Sequence, residues 1–68
     1  MIIEINDIFD DSNDIFYIVE YVNTDNTEFI LKNNDTNEYL YVYKTVLENG
    51  NCKYEVKDSD IVLKFYTT

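Results

Sequence analysis

The chain of 68 residues contains no His, Arg, Trp, Pro, Ala or Gln, and only one cysteine and one glycine. A single cysteine, Cys52, cannot form a disulfide within the chain. Since the chain also has no His, a Cys/His zinc site is excluded. Because no His can activate its thiol, Cys52 is interpreted as a small apolar side chain. Without His, Arg or a glycine-rich phosphate loop, no complete active site is recognisable. We therefore expect a protein that is not an enzyme and uses neither a cofactor nor a metal ion.

Long apolar runs are also missing from the sequence. None approaches the roughly 18 residues that a membrane-spanning helix needs. The segment Met1–Asp7 has no basic start, and Glu4 interrupts its apolar residues, unlike a secretory signal peptide. We therefore expect a soluble, cytoplasmic protein that does not contact a membrane.

Acidic residues far outnumber basic ones, with 14 Asp and Glu against five Lys and a formal net charge of −9. A field of this sign repels nucleic acid and attracts basic surfaces, at an association rate that salt lowers. This predicts a basic protein partner and no direct contact with nucleic acid. The alternative is that the charge only keeps a small, tyrosine-rich protein in solution.

β-Branched and aromatic residues dominate the apolar set, as is typical of strands. In the clearest strand Tyr39, Tyr41 and Tyr43 point to one face, and Leu40 and Val42 point to the other. We expect the apolar face to join the core and the tyrosines to form a stripe on the opposite face. No apolar pattern with the period of a helix extends beyond one turn.

The second strand and the turn after it need two departures from regular geometry. A β-bulge near Glu20 would place Tyr17, Val19 and Val22 together on the inner face and bend the strand. Asn26 is predicted to adopt a left-handed conformation in the following turn, which contains no glycine.

Short strands separated by Asn- and Asp-rich turns predict the architecture. So many strands in so short a chain favour a closed sheet over a flat one. We therefore expect one all-β domain over residues 1–68, a small, partly closed antiparallel barrel of five or six short strands. The expected strands are Ile2–Phe9, Ile15–Asn23, a hairpin over Glu28–Lys44 with its loop at Asn33–Asn37, Cys52–Lys57 and Ile61–Tyr66. Asp10–Asp14 is expected as a turn and Thr45–Leu47 as a short helical turn or a bend. The expected inward side chains are Ile3, Ile5, either Ile8 or Phe9, Cys52, Tyr54, Val56, Ile61, Leu63 and Phe65.

Three segments of the chain resemble the SH3-like small barrels of short bacterial and phage proteins. They are Asn6–Phe9, which stands where that family has an opening Gly-Asp-Ile-Phe phrase, Phe16–Val19 and Phe29–Asn33. The resemblance covers Ile5–Tyr43, and Asn6 replaces the usual glycine. It implies an SH3-like barrel, a class whose members bind proline-rich peptides, nucleic acids or protein surfaces.

The carboxylates are the first candidate binding site. Carboxylates at alternate strand positions lie about 6.6 Å apart, so a Lys/Arg-rich groove for nucleic acid could accept them in place of phosphates. In size and charge the chain also resembles small acidic phage proteins that inhibit restriction or CRISPR nucleases. We therefore expect a phage or mobile-element inhibitor of anti-CRISPR or anti-restriction type, a nucleic-acid mimic that binds a host nuclease or another nucleic-acid-binding protein. The acidic candidates are Asp7, Asp10, Asp11, Asp14, Glu20, Asp25, Glu28, Asp35 and Glu38, joined by Asp58 and Asp60 from the C-terminal part.

The stripe formed by Tyr39, Tyr41 and Tyr43 is the second candidate binding site. Tyrosine offers a large contact area at low entropic cost and is enriched at protein interfaces, although it also simply covers sheet faces. With Tyr21 or Tyr66 nearby, the stripe suits a homodimer. The alternatives to an inhibitor are therefore a self-associating structural module and an SH3-like adaptor for extended peptides.

Overall fold

The computed structural model describes residues 2–66, which form a single antiparallel sheet that curls into a nearly closed barrel. The strands are β1 (Ile8–Asp11), β2 (Phe16–Val22), β3 (Glu28–Asn33), β4 (Tyr39–Val46), β5 (Cys52–Val56) and β6 (Leu63–Phe65). Their order in the sheet is β5-β4-β3-β2-β1-β6. Residues 2–66 contain no helix, so the predicted all-β small barrel is confirmed, and its architecture is compatible with an SH3-like barrel.

The two edges of the sheet come together at an isolated bridge between Glu55 of β5 and Val62, the residue before β6. The ring of Phe9 on β1 contacts Tyr54 of β5 and Phe65 of β6, with centroid distances of 4.9 Å and 5.6 Å. These edge-to-face contacts add to the apolar burial that holds aromatic side chains in a core. Phe9 therefore joins the two edges from inside the barrel.

The core consists of the inward side chains of alternate strand positions. The predicted inward residues of the C-terminal half are confirmed, because Tyr54, Val56 and Leu63 are buried and their predicted neighbours pack against them. The buried apolar residues are Ile3, Phe9, Tyr17, Val19, Phe29, Leu31, Val42, Tyr54, Val56 and Leu63. Partly buried residues packed against them include Ile15, Val22, Leu40, Cys52, Ile61 and Phe65.

The predicted β-bulge is present in β2. The register between β2 and β3 shifts between Val19 and Tyr21, which leaves Glu20 exposed. As expected, Tyr17 and Val19 are buried on the inner side, and Val22 packs against the core. The extra residue bends β2, as closure of a small barrel requires.

Each turn between consecutive strands contains one residue with a left-handed backbone. The prediction for Asn26 is confirmed by its φ of 58°. With one glycine in the chain, the other such positions are occupied by Asn and Asp, the residue types that best tolerate this conformation. The residues with positive φ are Asn6, Asp14, Asn26, Asn37, Gly50 and Asp58.

The first strand is shorter than the predicted Ile2–Phe9 and begins only at Ile8. A turn precedes it, because the N–H of Asp7 donates to the carbonyl of Glu4 at 3.1 Å and Asn6 has a φ of 75°. The carboxylate of Asp7 also accepts a hydrogen bond from the N–H of Glu4 at 2.8 Å. A local side-chain bond of this kind competes with strand formation.

The segment before this turn is fastened to the barrel by Asn26. The N–H of Ile3 donates to Oδ1 of Asn26 at 2.9 Å, and Nδ2 of Asn26 donates to the carbonyl of Ile3 at 2.7 Å. Ile3 is thereby held in the core at 1% exposure. The inward prediction was right for Ile3 and wrong for Ile5, which is 50% exposed because it lies in the turn.

Two other segments continue as strand where a turn or a bend was expected. Asp10 and Asp11 belong to β1, since its pairing with β6 extends through Asp11. Thr45 and Val46 belong to β4, whose pairing with β5 continues to the contact of Val46 with Cys52. In both cases hydrogen bonding to a neighbouring strand overrides the local turn preference.

Candidate protein interaction surface

The tyrosines of the predicted stripe lie on the outside of the barrel. Tyr39 and Tyr41 are 62% and 44% exposed, and Tyr43 is half-buried. Val42, which alternates with them along β4, is fully buried on the inner face, and Leu40 packs against the core. The predicted alternation of β4 is therefore confirmed, and the stripe faces solvent.

The stripe extends sideways across the neighbouring strands. Ile30 of β3 lies directly opposite Tyr41, and Tyr21 of β2 lies directly opposite Ile30. Tyr21 is 49% exposed and Ile30 is half-buried. Sequence reasoning missed Ile30, because the apolar run of β3 does not show which of its residues faces outward until the register is known. We call Tyr21, Ile30, Tyr39, Tyr41 and Tyr43 the aromatic wall.

A shallow hollow of about 520 Å³ opens on the aromatic wall beside the turn between β5 and β6. The ammonium of Lys57 lies 5.9 Å from the ring centroid of Tyr41, within the range of a cation–π contact. By contrast, the ring of Tyr39 contacts no other ring or cation among residues 2–66. The hollow is lined by Ile30, Tyr39, Leu40, Tyr41, Lys57 and Asp58.

Exposed carboxylates gather at one end of the barrel. The turns β1–β2, β3–β4 and β5–β6 lie at the same end, because consecutive strands are antiparallel. The N–H of Asn34 donates to the carbonyl of Phe16 at 3.1 Å, which ties the β3–β4 turn to the start of β2. We call the exposed carboxylates of these turns the acidic end, namely Asp14, Asp35, Glu38, Asp58 and Asp60.

The acidic end adjoins the aromatic wall. Glu38 immediately precedes Tyr39 in the chain, and Asp58 lines the same hollow as Tyr39. The two candidate sites, which the sequence suggested separately, therefore form one continuous surface around Tyr39.

The other exposed or half-exposed acidic candidates are scattered elsewhere on the barrel. Glu20 forms an ion pair with Lys32 at 4.0 Å, and Glu28 accepts a hydrogen bond from Nδ2 of Asn23 at 3.3 Å. Asp25 is exposed in the β2–β3 turn, at the end opposite the acidic end. The remaining two, in β1 and the turn before it, are Asp7 and Asp10.

No described strand carries carboxylates at alternate positions. The acidic residues of β1 are the adjacent Asp10 and Asp11, and Glu20, Glu28 and Glu55 each stand alone in their strands. The expected phosphate-like spacing along a strand is therefore not formed. The acidity is concentrated in turns instead.

Asp11 differs from the other acidic candidates because it is buried, at 7% exposure. Its carboxylate accepts hydrogen bonds from the N–H groups of Asn13 and Ile15 and from the hydroxyl of Tyr17. Desolvation acts to raise the pKa of Asp11, but these hydrogen bonds to the charged form outweigh it and lower the pKa. The pKa of Tyr17 is raised, first by desolvation and then by the charge of Asp11. Asp11 thus faces the protein interior, not a partner.

A second hollow, of about 480 Å³, lies along the seam between β5 and β6. Tyr54 and Cys52 contribute to its lining. The hydroxyl of Tyr54 is buried and makes no hydrogen bond to a nitrogen or oxygen atom of the described residues, and its polar neighbour is the weakly bonding thiol of Cys52. Desolvation raises the pKa of Tyr54, and the neighbouring Cys52 adds to the rise. Cys52 is half-buried, in keeping with its interpretation as a packing residue.

The chain matches no known protein-family model, no curated protein and no solved structure. Residues 2–66 include no helix of the length and hydrophobicity needed to cross a membrane. In the same part of the chain, no three His, Cys, Asp or Glu side chains are grouped so that they could hold a metal ion. The surface around Tyr39 is therefore the candidate functional site.

Proposed function

We propose that the protein is a non-enzymatic binding protein that recognises a Lys/Arg-rich protein surface. The observation that carries this proposal is the continuity of the acidic end with the aromatic wall, where Tyr39 lies beside Glu38 and Asp58. The acidic end attracts a basic surface and speeds its association. The exposed tyrosines supply contact area that slows dissociation. A partner that fits both parts carries cationic side chains next to apolar ones.

The partner class that fits best is an enzyme that binds nucleic acid, which the protein would inhibit by occupying its nucleic-acid groove. Such grooves are rich in Lys and Arg and exchange their counterions for an anionic ligand. The net charge of −9 and the exposed carboxylates of three adjacent turns support this mimicry. The mimicry rests on charge density at the acidic end, since the regular strand spacing is not formed. An inhibitor encoded by a phage or mobile element, of anti-restriction or anti-CRISPR type, is the biological role we propose.

Capture from bacterial lysate on the immobilised protein tests this proposal. We expect a nucleic-acid-binding enzyme that elutes as salt rises, because screening weakens the contact between the charged surfaces. The same enzyme should be displaced by added DNA or RNA at constant salt, because both ligands compete for one groove. Recovery of the protein alone, or of partners that persist at high salt and ignore nucleic acid, contradicts the proposal.

Self-association through the aromatic wall is the second candidate function. It is favoured by the exposure of Tyr21 on β2 and of Tyr39 and Tyr41 on β4, which form one patch with Ile30 of the intervening β3. Repulsion between two chains of charge −9 opposes it, so a homodimer should be stabilised by salt. Sedimentation at low and high salt separates this candidate from the first. The SH3-like resemblance supports a proline-rich peptide on the same wall, and titration with such a peptide tests that alternative.

A further inference from the structure

The hollow on the aromatic wall contains a ring face and a carboxylate that have no cation partner within the described part of the chain. Tyr39 is 62% exposed and has no ring or cation partner within residues 2–66. Asp58 is exposed and takes part in neither of the ion pairs found there. Both line the same hollow. An aromatic face next to a carboxylate is a favourable environment for a cation.

The second tyrosine of the hollow already shows this behaviour within the chain. The ammonium of Lys57 lies over the ring of Tyr41, at 5.9 Å from its centroid. One of the two rings is therefore occupied by the chain's own cation. The other ring, that of Tyr39, is left for a cation from outside.

We infer that this hollow binds one arginine side chain of the basic partner, with its guanidinium stacked on Tyr39 and paired with Asp58. The inference rests on the proposed function, since it names the residue of the partner that the surface recognises. Arginine fits better than lysine because its planar guanidinium stacks on a ring and forms two parallel hydrogen bonds to a carboxylate, and it is also less strongly hydrated. Lys57 limits the hollow to a single cation by repulsion.

Short glycine-flanked peptides with one central Arg, Lys or citrulline test the inference directly. Binding is followed by NMR through the ring signals of Tyr39 and the backbone amide of Asp58. The Arg peptide should bind with a dissociation constant on the order of millimolar. The Lys peptide should bind about threefold more weakly, because its ammonium neither stacks nor forms paired hydrogen bonds. Citrulline has nearly the same shape without the charge, and it should bind more weakly than either.

Three single substitutions should change the affinity for the Arg peptide, two of them lowering it and one raising it. Asp58→Asn and Tyr39→Leu should each weaken binding of the Arg peptide by about threefold, as expected for one exposed ion pair or cation–π contact. Asn also tolerates the left-handed backbone of position 58, where φ is 58°, so the turn is retained. Lys57→Met should strengthen binding by about twofold, because it removes the competing cation.

Matched controls remove the same groups elsewhere on the barrel. Asp25→Asn neutralises an exposed carboxylate at the opposite end, Tyr66→Leu truncates an exposed tyrosine outside the aromatic wall, and Lys53→Met removes an exposed lysine earlier in β5. None of the three should change the affinity for the Arg peptide by as much as its counterpart at the hollow.

Equal binding of the three peptides, or equal effects of the control and hollow substitutions, would overturn the inference. Equal effects of the control and hollow substitutions would mean that binding is diffuse attraction to a chain of charge −9, whereas equal binding of the uncharged citrulline peptide would mean that charge plays no part in it. In either case the proposed recognition of a basic partner is tested separately, by the capture from lysate. If the peptides behave as expected while no Lys/Arg-rich protein is captured, the arginine hollow stands and the proposed function is wrong.

Discussion

The hydroxyl of Tyr17 donates a hydrogen bond to Oδ2 of Asp11 at 3.3 Å inside one end of the barrel. Oδ1 of the same carboxylate accepts the N–H groups of Asn13 at 2.8 Å and Ile15 at 3.1 Å. Asp11 therefore stabilises the β1–β2 turn from within. This acidic residue contributes to the fold, while the exposed Asp14 of the same turn belongs to the acidic end.

Replacing Tyr17 with Phe should destabilise the protein. The substitution keeps the buried ring and removes the hydroxyl, which leaves the carboxylate of Asp11 with one donor fewer. A buried hydrogen bond of this kind contributes about 1 kcal/mol to the free energy of unfolding. Urea unfolding measures the change, and an unaltered midpoint would show that the contact contributes nothing.

Replacing Tyr54 with Phe also removes a buried hydroxyl, but this substitution should not destabilise the protein. The hydroxyl of Tyr54 is buried and its polar neighbour is the thiol of Cys52, a weak hydrogen-bonding group, so its removal relieves a desolvation cost and loses little hydrogen bonding. We expect Tyr54→Phe to be neutral or stabilising by up to about 1 kcal/mol. The variant is compared with Tyr17→Phe in the same urea experiment. Equal losses of stability in the two variants would contradict the expected difference between the hydroxyls of Tyr17 and Tyr54.

The stability conferred by Asp11 should depend on pH. Because the pKa of Asp11 is lowered in the folded state, this stability is present above the ordinary value of 3.8 and is lost as pH falls through the folded pKa. The free energy of unfolding of the wild type should therefore exceed that of Asp11→Asn most clearly at neutral pH, and the difference should shrink in acid. Asp25→Asn, at an exposed carboxylate, controls for the general loss of negative charge. A difference that grows in acid contradicts the assignment.

Replacing Asn26 with Gly should release the N-terminal segment. Glycine keeps the left-handed backbone, so the decrease in the free energy of unfolding measures the contribution of the two hydrogen bonds to Ile3 and of the packing that they maintain. We expect destabilisation of about 1–3 kcal/mol and faster hydrogen exchange of the Ile3 amide. Asn37→Gly is the matched control, because Asn37 also has positive φ and its side chain makes no hydrogen bond among residues 2–66. Equal effects of the two substitutions would show that the hydrogen bonds between Asn26 and Ile3 do not contribute to stability.

The strand pattern could be predicted where apolar and polar residues alternate. The inward and outward faces of β4 and β5 and the bulge at Glu20 were visible in the sequence, because a two-residue period assigns each side chain to a face. The course of the N-terminal segment was not visible in the sequence. Its turn depends on hydrogen bonds between Glu4 and Asp7, and its attachment to the barrel depends on the contact of Ile3 with Asn26, 23 residues further along the chain. Contacts so distant in the chain leave no periodic signal.

The candidate surface was predicted in part. The tyrosines of β4 were identified from their alternation, but Ile30 became visible only once the register of β3 was known. The acidic residues looked equivalent in sequence, whereas the fold separates the buried Asp11, the ion-paired Glu20 and the exposed acidic end. Burial and pairing depend on which strands become neighbours, and this is a property of the whole barrel.

The most direct test of the central claim compares two sets of charge-neutralising substitutions in their affinity for the captured partner. The first set changes the acidic end, with Asp14→Asn, Asp35→Asn, Asp58→Asn and Asp60→Asn. The second removes the same charge elsewhere, with Glu4→Gln, Asp25→Asn, Glu48→Gln and Glu55→Gln, all at exposed positions.

We expect the first set to weaken binding at low salt by about 100-fold and the second by far less, with the gap closing at high salt. Because both sets change the net charge equally, this result assigns recognition to the acidic end. Equal losses in the two sets would mean that only the total charge matters and that the proposed surface is wrong.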